Sequence, residues 1–380
     1  MKIGINAYEA AVPRFGFNEK TGLPNRVGSS EFCFQLLTSL HKIDKVNEYS
    51  IFLPVSPPAD MPSVTEKWKY VVFRAKKLWT LLGLSRKLLS YKDIGVFFSP
   101  THYLPLRVPV KSVISILDVS YLYFPGLFKK KDLYQLKLWG GYSIRKATKI
   151  ITISNSSKND IIKAYGVKSE KVTVVYPGIK QISSIKQKEL SMEDLKEKFG
   201  ISSHYILFVG TLQPRKNIVK LIQAFSKITK QDIELVIVGK KGWQYEEILA
   251  APEKFGIKTK VKFLDSVSDS DLPLIYKKAL CFVLPSLYEG FGLPILEAMQ
   301  YGCPVLTSNV SSLPEAGGDA AVYFNPEDID EIASKIEDVI SDPKLREEMI
   351  KKGYNQIKKF SWEKTARETL AILEEIGRKP

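Results

Sequence analysis

The sequence has few cysteines, few histidines and no long apolar run. Its three cysteines, Cys33, Cys281 and Cys303, are too far apart for a disulfide framework or a zinc motif, and its three histidines have no mutual spacing that suits a metal. No apolar stretch approaches the roughly 20 residues that span a bilayer. The chain opens on a strand-like segment with no secretion signal before it. These absences predict a cytoplasmic protein that holds no metal and no disulfide.

Positive charge is concentrated in the first half of the chain. Residues 1–180 contain 28 Lys and Arg against 12 Asp and Glu, whereas residues 181–380 contain 28 against 29. A basic half of this kind contacts nucleic acid, anionic membranes or phosphorylated ligands. No nucleic-acid reader motif accompanies it, so nucleic acid is not predicted as a partner. The composition, 44% hydrophobic and 26% charged, is that of a globular protein and excludes a disordered or collagen-like chain.

Short apolar runs alternate with helical spacing along both halves. Strands are predicted at residues 2–8, 49–55, 70–75, 94–100, 112–118, 149–154, 171–176, 205–210, 234–239, 260–264, 281–285, 304–308 and 321–324. Buried strands that alternate with helices predict parallel sheets covered on both faces. The last 55 residues predict three helices, and residues 177–191 predict a linker. The predicted fold is α/β, with two Rossmann-like, doubly wound parallel-sheet domains facing across a ligand-binding cleft.

Two strand-to-helix loops in the second half have the composition of phosphate-binding sites. In the first loop, Gly210 ends a strand, and Arg215 and Lys216 precede a helix that Asn217 is expected to cap. Helix N-termini offer free N–H groups and adjacent cations add charged hydrogen bonds, a combination that suits a diphosphate. The alternative is a solvated pair of surface cations, and this loop alone does not decide between the two.

The second loop, residues 285–299, combines two glycines with two carboxylates. The glycines allow close backbone approach, and Pro294 is predicted at the first position of the following helix. Glu289 lies in the loop, and Glu297 is predicted in the first turn of that helix. Such carboxylates accept hydrogen bonds from sugar hydroxyls while the neighbouring amides meet phosphate. The weaker alternative is an acidic residue that only favours the helix dipole.

Glu289 and Glu297, separated by seven residues in EGFGLPILE, resemble the paired-glutamate motif of the retaining glycosyltransferases of family 4. The likeness runs through residues 205–366 in matching order and includes GTLQPRKN at 210–217 and FSWEKTA at 360–366. It implies the GT-B fold, in which two Rossmann-like domains are joined by a terminal helix that crosses back. The domains implied are an acceptor-binding domain, a donor-binding domain and the crossing helix, at residues 1–180, 191–360 and 361–380.

The activity that this resemblance implies is retaining hexosyl transfer. The donor is a nucleotide-diphospho-sugar, and the likeness to bacterial mannosyltransferases favours GDP-mannose, although UDP-glucose and dTDP-rhamnose enzymes share the motifs. The acceptor is a glycan or a lipid-linked glycan. The alternative is a catalytically silent nucleotide-sugar-binding scaffold in a membrane-associated glycan assembly.

The resemblance also implies roles for individual residues. Arg215 and Lys216 neutralise the donor diphosphate, and Glu297 binds the ribose. The donor-binding set is Gly28, Gly210, Arg215, Lys216, Glu289, Gly290, Phe291, Gly292, Leu293 and Glu297. The catalytic set is Asp118, Arg215, Lys216 and Glu289. No metal or other cofactor is expected, because the two cations neutralise the diphosphate.

The first domain matches the family less tightly. Gly28 in NRVGSSEF resembles the glycine that starts the first helix beside the donor phosphate, and Asp118 resembles the aspartate of the family's His-Asp element. Leu117 stands where that histidine is common, so the histidine side chain is absent here. His102 and Ser154 are acceptor-side candidates, for which an ordinary structural role is the alternative.

Two further features have competing interpretations. The Asp-x-Asp strings at 269–271 and 328–330 have the form that holds a metal in other glycosyltransferases, but each precedes an apolar helical segment, so helix capping is predicted. Residues 68–89 and the lysines at 129–131 occur among aromatic and leucine side chains. They predict either a solvated basic face or an amphipathic face of Lys, Arg, Trp and Leu that makes peripheral contact with an anionic membrane.

Overall fold

The chain divides into two compact units, each with its own parallel sheet. The computed structural model describes residues 1–12, 16–18, 21–75, 78–180, 192–202, 204–230, 232–265, 267–268 and 270–378. The first unit contains Met1–Gly178 and Phe360–Pro380, and the second contains Ile179–Lys359. Strands and α-helices are numbered below along the whole chain.

The first unit is built on a seven-stranded sheet. Its strands are β1 (Lys2–Asn6), β2 (Glu48–Leu53), β3 (Trp68–Val72), β4 (Val96–Ser99), β5 (Lys111–Ser115), β6 (Lys149–Thr152) and β7 (Val172–Val174). They lie in the order β3-β2-β1-β4-β5-β6-β7, and every neighbouring pair is parallel. The central strand β4 is buried throughout, as expected when helices cover both faces of a parallel sheet.

The helices of the first unit are α1 (Tyr8–Ala11), α2 (Ser29–Ile43), α3 (Leu84–Leu88), α4 (Ser120–Tyr123), α5 (Lys130–Gln135), α6 (Gly141–Lys146), α7 (Asn155–Tyr165) and α16 (Trp362–Arg378). Two π-helical turns, Trp79–Gly83 and Leu136–Gly140, precede α3 and α6. Short 3-10 turns lie at Pro125–Leu127 and Ser169–Lys171.

The last helix, α16, packs within the first unit although it follows the second unit in the chain. The Trp362 ring lies edge-on to Phe32 of α2, with ring centroids 5.6 Å apart. Thr365 Oγ1 donates to the Tyr176 carbonyl at 2.7 Å. The backbone approach is close at Gly178, where an added Cβ would lie 2.1 Å from the Trp362 nitrogen. Glycine is therefore required at that position for α16 to dock.

The second unit is built on a six-stranded sheet. Its strands are β8 (Tyr205–Val209), β9 (Glu234–Val238), β10 (Val261–Leu264), β11 (Cys281–Leu284), β12 (Val305–Ser308) and β13 (Ala321–Phe324), in the order β10-β9-β8-β11-β12-β13. Its helices are α8 (Met192–Phe199), α9 (Ile218–Ser226), α10 (Glu246–Lys254), α11 (Leu272–Lys278), α12 (Leu293–Gln300), α13 (Leu313–Gly317), α14 (Ile329–Ser341) and α15 (Pro343–Gln356). Its 3-10 turns are Pro214–Lys216, Lys258–Lys260, Gly318–Ala320 and Ile357–Lys359.

Each sheet has a point at which the strand order reverses. In the first sheet this switch lies between β1 and β4, and in the second it lies between β8 and β11. The loops that follow the two strands at a switch diverge to opposite faces and leave a crevice at their carboxyl ends. Binding sites in doubly wound sheets form there, so these two crevices define where the chemistry of each unit is expected.

The predicted α/β fold with two Rossmann-like domains is confirmed, and all thirteen predicted strands are present. Twelve of them are shorter than predicted and β13 has the predicted bounds, while β2, β3 and β5 begin one or two residues earlier than predicted. The three C-terminal helices are also present as α14, α15 and α16. Of the predicted linker, residues 181–191 lie outside the described residues. The described parts of the segment at residues 68–89, which are residues 68–75 and 78–89, do not form one amphipathic face, because they are divided among β3, the π turn and α3 and both tryptophans are buried.

Candidate active site

Two loops at the switch of the second sheet form one cluster of charged side chains. Arg215 and Lys216 follow β8, and Glu289 follows β11. The Arg215 Nη1 atom lies 3.1 Å from Glu289 Oε2, and the Lys216 Nζ atom lies 2.6 Å from Glu289 Oε1. A backbone hydrogen bond of 2.9 Å from Leu287 N to the Arg215 carbonyl ties the loops together. The structure therefore unites three residues that the sequence placed in separate motifs.

Glu289 is an ionised carboxylate in a buried position. Burial alone would raise its pKa, but the charges of Arg215 and Lys216 and hydrogen bonds from Lys216 and Ser286 outweigh burial and lower the pKa to about 2. The Ser286 hydroxyl donates to Glu289 Oε1 at 2.7 Å. Two cations and one carboxylate leave the cluster with a net charge of +1, which favours an anionic ligand.

A third loop fixes the backbone of Glu289. The Ser311 and Ser312 hydroxyls donate to the Glu289 carbonyl at 2.6 and 2.8 Å, and Glu289 N donates to Ser311 Oγ at 3.3 Å. These serines follow β12, the next strand of the sheet. Ser311 has a positive φ of 57°, a conformation that is uncommon for a residue other than glycine. Neither serine was predicted as a site residue, and the signal for them in the sequence is their place after a predicted strand.

The glycine-rich loop leads directly into α12. Gly292 precedes the helix with a φ of 98°, and an added Cβ would lie 2.9 Å from Leu313 Cδ2, so conformation and space both require glycine. Gly290 and Phe291 are buried in the same loop. The helix begins at Leu293, which makes Pro294 its second residue rather than its first as predicted.

Glu297 is the fifth residue of α12 and lies in its second turn, so the prediction of the first turn is wrong. Its side chain is half-buried, and Tyr276 Oη donates to Glu297 Oε2 at 3.3 Å. Burial and the nearby Glu297 charge raise the pKa of Tyr276 well above its ordinary value, so Tyr276 is a neutral donor. Tyr276 lies on α11, so its hydrogen bond fixes the Glu297 carboxylate of α12 against the neighbouring helix.

The loop after β8 differs from its predicted form at Asn217. This residue stands at the cap position of α9 with a φ of 57°, but its side chain makes no cap and instead donates to the Pro326 carbonyl at 2.8 Å. Gly210 N donates to the Val238 carbonyl at 2.9 Å. The amide oxygen of buried Gln213 has no hydrogen-bond partner among the described residues. Leaving such an atom unpaired costs about 1–3 kcal/mol, and a ligand hydroxyl or N–H could satisfy it.

The candidates of the first unit lie around the carboxyl edge of its sheet. Gly28 begins α2 with φ 55° and ψ −120°, and no atom lies within 4 Å of an added Cβ. His102 follows β4, and half-buried Asp118 follows β5 and accepts from Ser120 N at 2.9 Å. Ser154 caps α7 by accepting from Ser157 N at 3.0 Å and is fully buried. This structural role is the alternative that the sequence analysis had left open for Ser154.

A cavity of about 270 Å³ lies at the switch of the first sheet. Its lining residues are Asn6, Tyr8, Glu9, Val12, Thr80, Thr101, Tyr103 and Gln135. Asn6 ends β1 and Thr101 follows β4, which is where the reversal of strand order predicts a crevice. His102 was predicted as an acceptor-side residue, whereas its neighbours Thr101 and Tyr103 line the cavity. The signal available for Thr101 and Tyr103 was their place directly after a predicted strand.

In each of the two Asp-x-Asp strings, one aspartate accepts hydrogen bonds from protein groups. Asp328 caps α14 by accepting from Asp330 N and Glu331 N, as predicted. Asp269 lies outside the described residues. Asp271 precedes α11 without capping it and instead accepts from Lys198 Nζ at 2.6 Å and Ser268 Oγ at 2.5 Å. Within the described ranges, no three His, Cys, Asp or Glu side chains cluster in a way that could hold a metal.

The chain matches family descriptions over most of its length. Residues 191–356 match Glycosyl transferases group 1, and residues 58–181 match Glycosyltransferase Family 4. The chain is 33% identical over 287 residues to the O-antigen chain mannosyltransferase B of Escherichia coli, with 74% of each chain covered. It is 29% identical over 266 residues to the O-antigen chain mannosyltransferase RfbU of Salmonella typhimurium strain LT2, with 70% of each covered. The chain belongs to the family 4 glycosyltransferases.

Solved structures share the fold at low sequence identity. Sucrose-phosphate synthase from Thermosynechococcus elongatus aligns with a TM-score of 0.71 and 17% identity over 99% of this chain and 98% of the other. Anabaena HepE in complex with UDP-glucose aligns with a TM-score of 0.71 and 17% identity over 99% and 100%. These likenesses support the GT-B fold. Together with the family membership, they define the protein as a glycosyltransferase enzyme of the hexosyltransferase class.

Proposed function

We propose that this enzyme transfers mannose from GDP-mannose to a glycan or lipid-linked glycan acceptor with retention of anomeric configuration. The observation that carries the proposal is the cluster of Arg215, Lys216 and Glu289 at the switch of the second sheet. The mannose donor is supported by the similarity to two O-antigen mannosyltransferases at about one-third identity. UDP-glucose and dTDP-rhamnose are the competing donors.

The cluster suits a donor diphosphate because its cations are already oriented. The side chains of Arg215 and Lys216 are 17% and 10% exposed, so both lie in a partly desolvated setting where charged hydrogen bonds are strengthened. Glu289 fixes their positions before a ligand arrives. The leaving diphosphate gains negative charge as the anomeric bond breaks, and preorganised cations stabilise that charge without reorganisation.

Glu289 has capacity for a further hydrogen bond. A carboxylate offers about four acceptor positions, and three donors reach the Glu289 oxygens among the described residues: Arg215, Lys216 and Ser286. The remaining position suits a hydroxyl of the donor sugar, with the backbone of residues 290–293 beside it. Glu297 is assigned to the ribose.

Retention is proposed to proceed by attack on the same face as the leaving group. The acceptor oxygen forms a bond to the anomeric carbon as the carbon–phosphate oxygen bond breaks, and the departing phosphate oxygen takes the acceptor proton. Asp118 is assigned to the acceptor side of this reaction. The cavity at the switch of the first sheet, with Glu9, Thr101 and Gln135 in its wall, is assigned to the acceptor sugar.

The donor assignment is tested by thermal unfolding with GDP, UDP, dTDP or ADP, each with and without Mg²⁺. A nucleotide at a hundredfold excess over its Kd stabilises the protein by about 2.7 kcal/mol. We expect GDP to give the largest shift, with no requirement for Mg²⁺. A larger shift with UDP or dTDP would replace the mannose donor, and a shift only with Mg²⁺ would contradict metal-free binding.

Two variants and a transfer assay complete the test. Lys216→Ala is expected to remove the GDP shift, whereas Lys220→Ala, which loses only an exposed pair with Glu327, is expected to keep it. Hydrolysis or transfer from the preferred donor, followed by NMR of the anomeric proton of the product, reports the configuration. An inverted product would contradict retention. No turnover of any donor would leave the nucleotide-sugar-binding scaffold as the better description.

A further inference from the structure

A second cavity of about 510 Å³ opens on the surface of the first unit, apart from the site at the sheet switch. Its lining residues are Phe73, Arg74, Ala75, Leu82, Gly83, Arg86, Lys87 and Ser90. One wall is the chain that leaves β3, and the other is the π turn Trp79–Gly83 continuing into α3. Half of the lining residues are therefore apolar or glycine, and three of the other four are cations.

The structure shows no acidic partner for the three cations of this cavity among the residues that it describes. Arg74 and Arg86 are exposed and Lys87 is half-buried. Among the described residues, none of the three lies within 4.0 Å of a carboxylate, although ion pairs are frequent elsewhere on this chain. Three unneutralised cations around one concave surface attract an anionic group.

Apolar side chains are exposed in the stretch of chain that forms this cavity, and one of them, Leu82, lines it. Leu78, Leu82 and Leu89 are 44%, 39% and 51% exposed, and Val72 is also exposed at the end of β3. A free phosphate ion gains nothing from exposed apolar side chains, whereas a surface that combines cations with leucines suits the boundary between lipid headgroups and acyl chains. The composition around the cavity therefore favours a lipid over a small anion.

The wall of the cavity is held in an unusual backbone conformation. Leu78 precedes the π turn with φ and ψ of 50°, a region that leucine seldom occupies. Trp79 fixes the turn in two ways. Its buried ring stacks on the Phe73 ring with the centroids 4.8 Å apart, and its Nε1 atom donates a hydrogen bond to the Phe73 carbonyl at 2.9 Å. Gly83 lies so close to the opposite wall that an added Cβ would be 2.7 Å from Ala75 Cβ. Strained backbone and π turns occur often at functional sites.

We infer that this cavity docks the first unit on an anionic lipid surface, with headgroup phosphates held by Arg74, Arg86 and Lys87 and the exposed leucines inserted at the interface. The same π turn also contributes Thr80 to the cavity at the sheet switch. Docking would thus place the acceptor cavity one helical turn from the membrane. That last consequence rests on the proposed function, whereas the docking itself does not.

Vesicle co-sedimentation tests the inference independently of catalysis. The full chain is mixed with phosphatidylglycerol-containing vesicles or with pure phosphatidylcholine vesicles. The triple variant Arg74→Gln, Arg86→Gln and Lys87→Gln is compared with a control that loses the same charge from exposed lysines of the second unit, Lys230→Gln, Lys254→Gln and Lys278→Gln. Both variants are checked for an unchanged thermal melting profile.

We expect binding only to the anionic vesicles, a loss on the order of 100-fold in the partition coefficient for the cavity variant, and little change for the control. Leu82→Ser, which keeps all three cations, is expected to weaken vesicle binding severalfold. Wild-type binding to neither vesicle, or an equal loss in both triple variants, would overturn the inference. Full displacement of the protein by inorganic phosphate would assign the cavity to a free anion instead.

Binding of a single-stranded oligonucleotide is measured with the same variants, to compare nucleic acid with lipid as the ligand of the cavity. If the cavity variant lost binding to the oligonucleotide but not to the vesicles, the cations would serve nucleic acid and the lipid inference would be wrong. Hydrolysis of the donor without acceptor reports the proposed function separately. A cavity variant that no longer binds vesicles but still hydrolyses the donor supports docking, and failure of hydrolysis in the wild type concerns only the proposed function.

Discussion

Replacing Glu289 with glutamine tests whether this carboxylate is the structural counterion of Arg215 and Lys216. Glutamine has nearly the same shape but leaves two cations uncompensated in a buried setting. The folded-state pKa of Glu289 is about 2 against an ordinary value of 4.5, and this difference corresponds to about 3 kcal/mol of stability at pH 7. Breaking a buried pair by removing one partner typically costs 3–5 kcal/mol, which is consistent in size.

The pH dependence of this loss provides the sharper measurement. Because the pKa is lowered by folding, the stabilisation is complete above the unfolded-state pKa and is lost as the pH falls towards the folded-state pKa. The difference in free energy of unfolding between wild type and Glu289→Gln, measured by urea denaturation, should fall from about 3 kcal/mol at pH 7 to about 1.5 kcal/mol at pH 3.

A control variant shows whether the loss of stability requires a buried carboxylate or only the loss of its charge. Glu327→Gln removes a carboxylate from an ion pair with Lys220, but the Glu327 side chain is 65% exposed. We expect this variant to lose less than about 1 kcal/mol at pH 7. The counterion role of Glu289 would be refuted if Glu289→Gln were as stable as the wild type at pH 7, or if its deficit were the same at pH 7 and pH 3.

Three further predictions follow from single contacts. Arg215→Ala and Lys216→Ala should each lower kcat/KM for the donor by roughly 10- to 100-fold, since a charged hydrogen bond contributes about 1.5–3 kcal/mol; normal turnover would contradict the diphosphate assignment. Ser154→Ala should cost about 1 kcal/mol in urea denaturation through the lost helix cap, and a fall in transfer without a fall in stability would instead indicate an acceptor role. Gly178→Ala should cost about 1–3 kcal/mol or more by crowding α16, whereas Gly126→Ala, with open space around its Cβ, should change little.

The strands could be predicted from the sequence because their signal is local. A run such as Ile3, Gly4 and Ile5 is buried on both faces of a central strand, so apolarity alone marks it. Segment ends were less accurate, since the strands stop where ladder hydrogen bonds stop and not where apolar residues stop. Helix ends have a separate cause: α12 begins at Leu293, because Gly292 and not Pro294 determines where the helix begins.

The site was predicted as separate motifs, and its assembly depends on strand order. Arg215 and Glu289 are 74 residues apart, and they meet only because β8 and β11 are neighbours in the sheet. The serines that hold Glu289 were missed for the same reason, since they follow β12. Residues 68–89 were misinterpreted as one amphipathic face because the contacts that bury Trp68, with Tyr49 and His41, come from distant parts of the chain.

The position of α16 makes the first unit discontinuous, and this has a consequence for synthesis. The ribosome finishes the whole second unit before it makes Trp362, Leu373 and Ile376, whose side chains complete the packing of the first. Until α16 has been made, the surface of α2 that it covers stays exposed in the nascent first unit while the second unit folds. Loss of the codons for α16 would damage the earliest-made part of the protein and leave the sheet of the second unit intact.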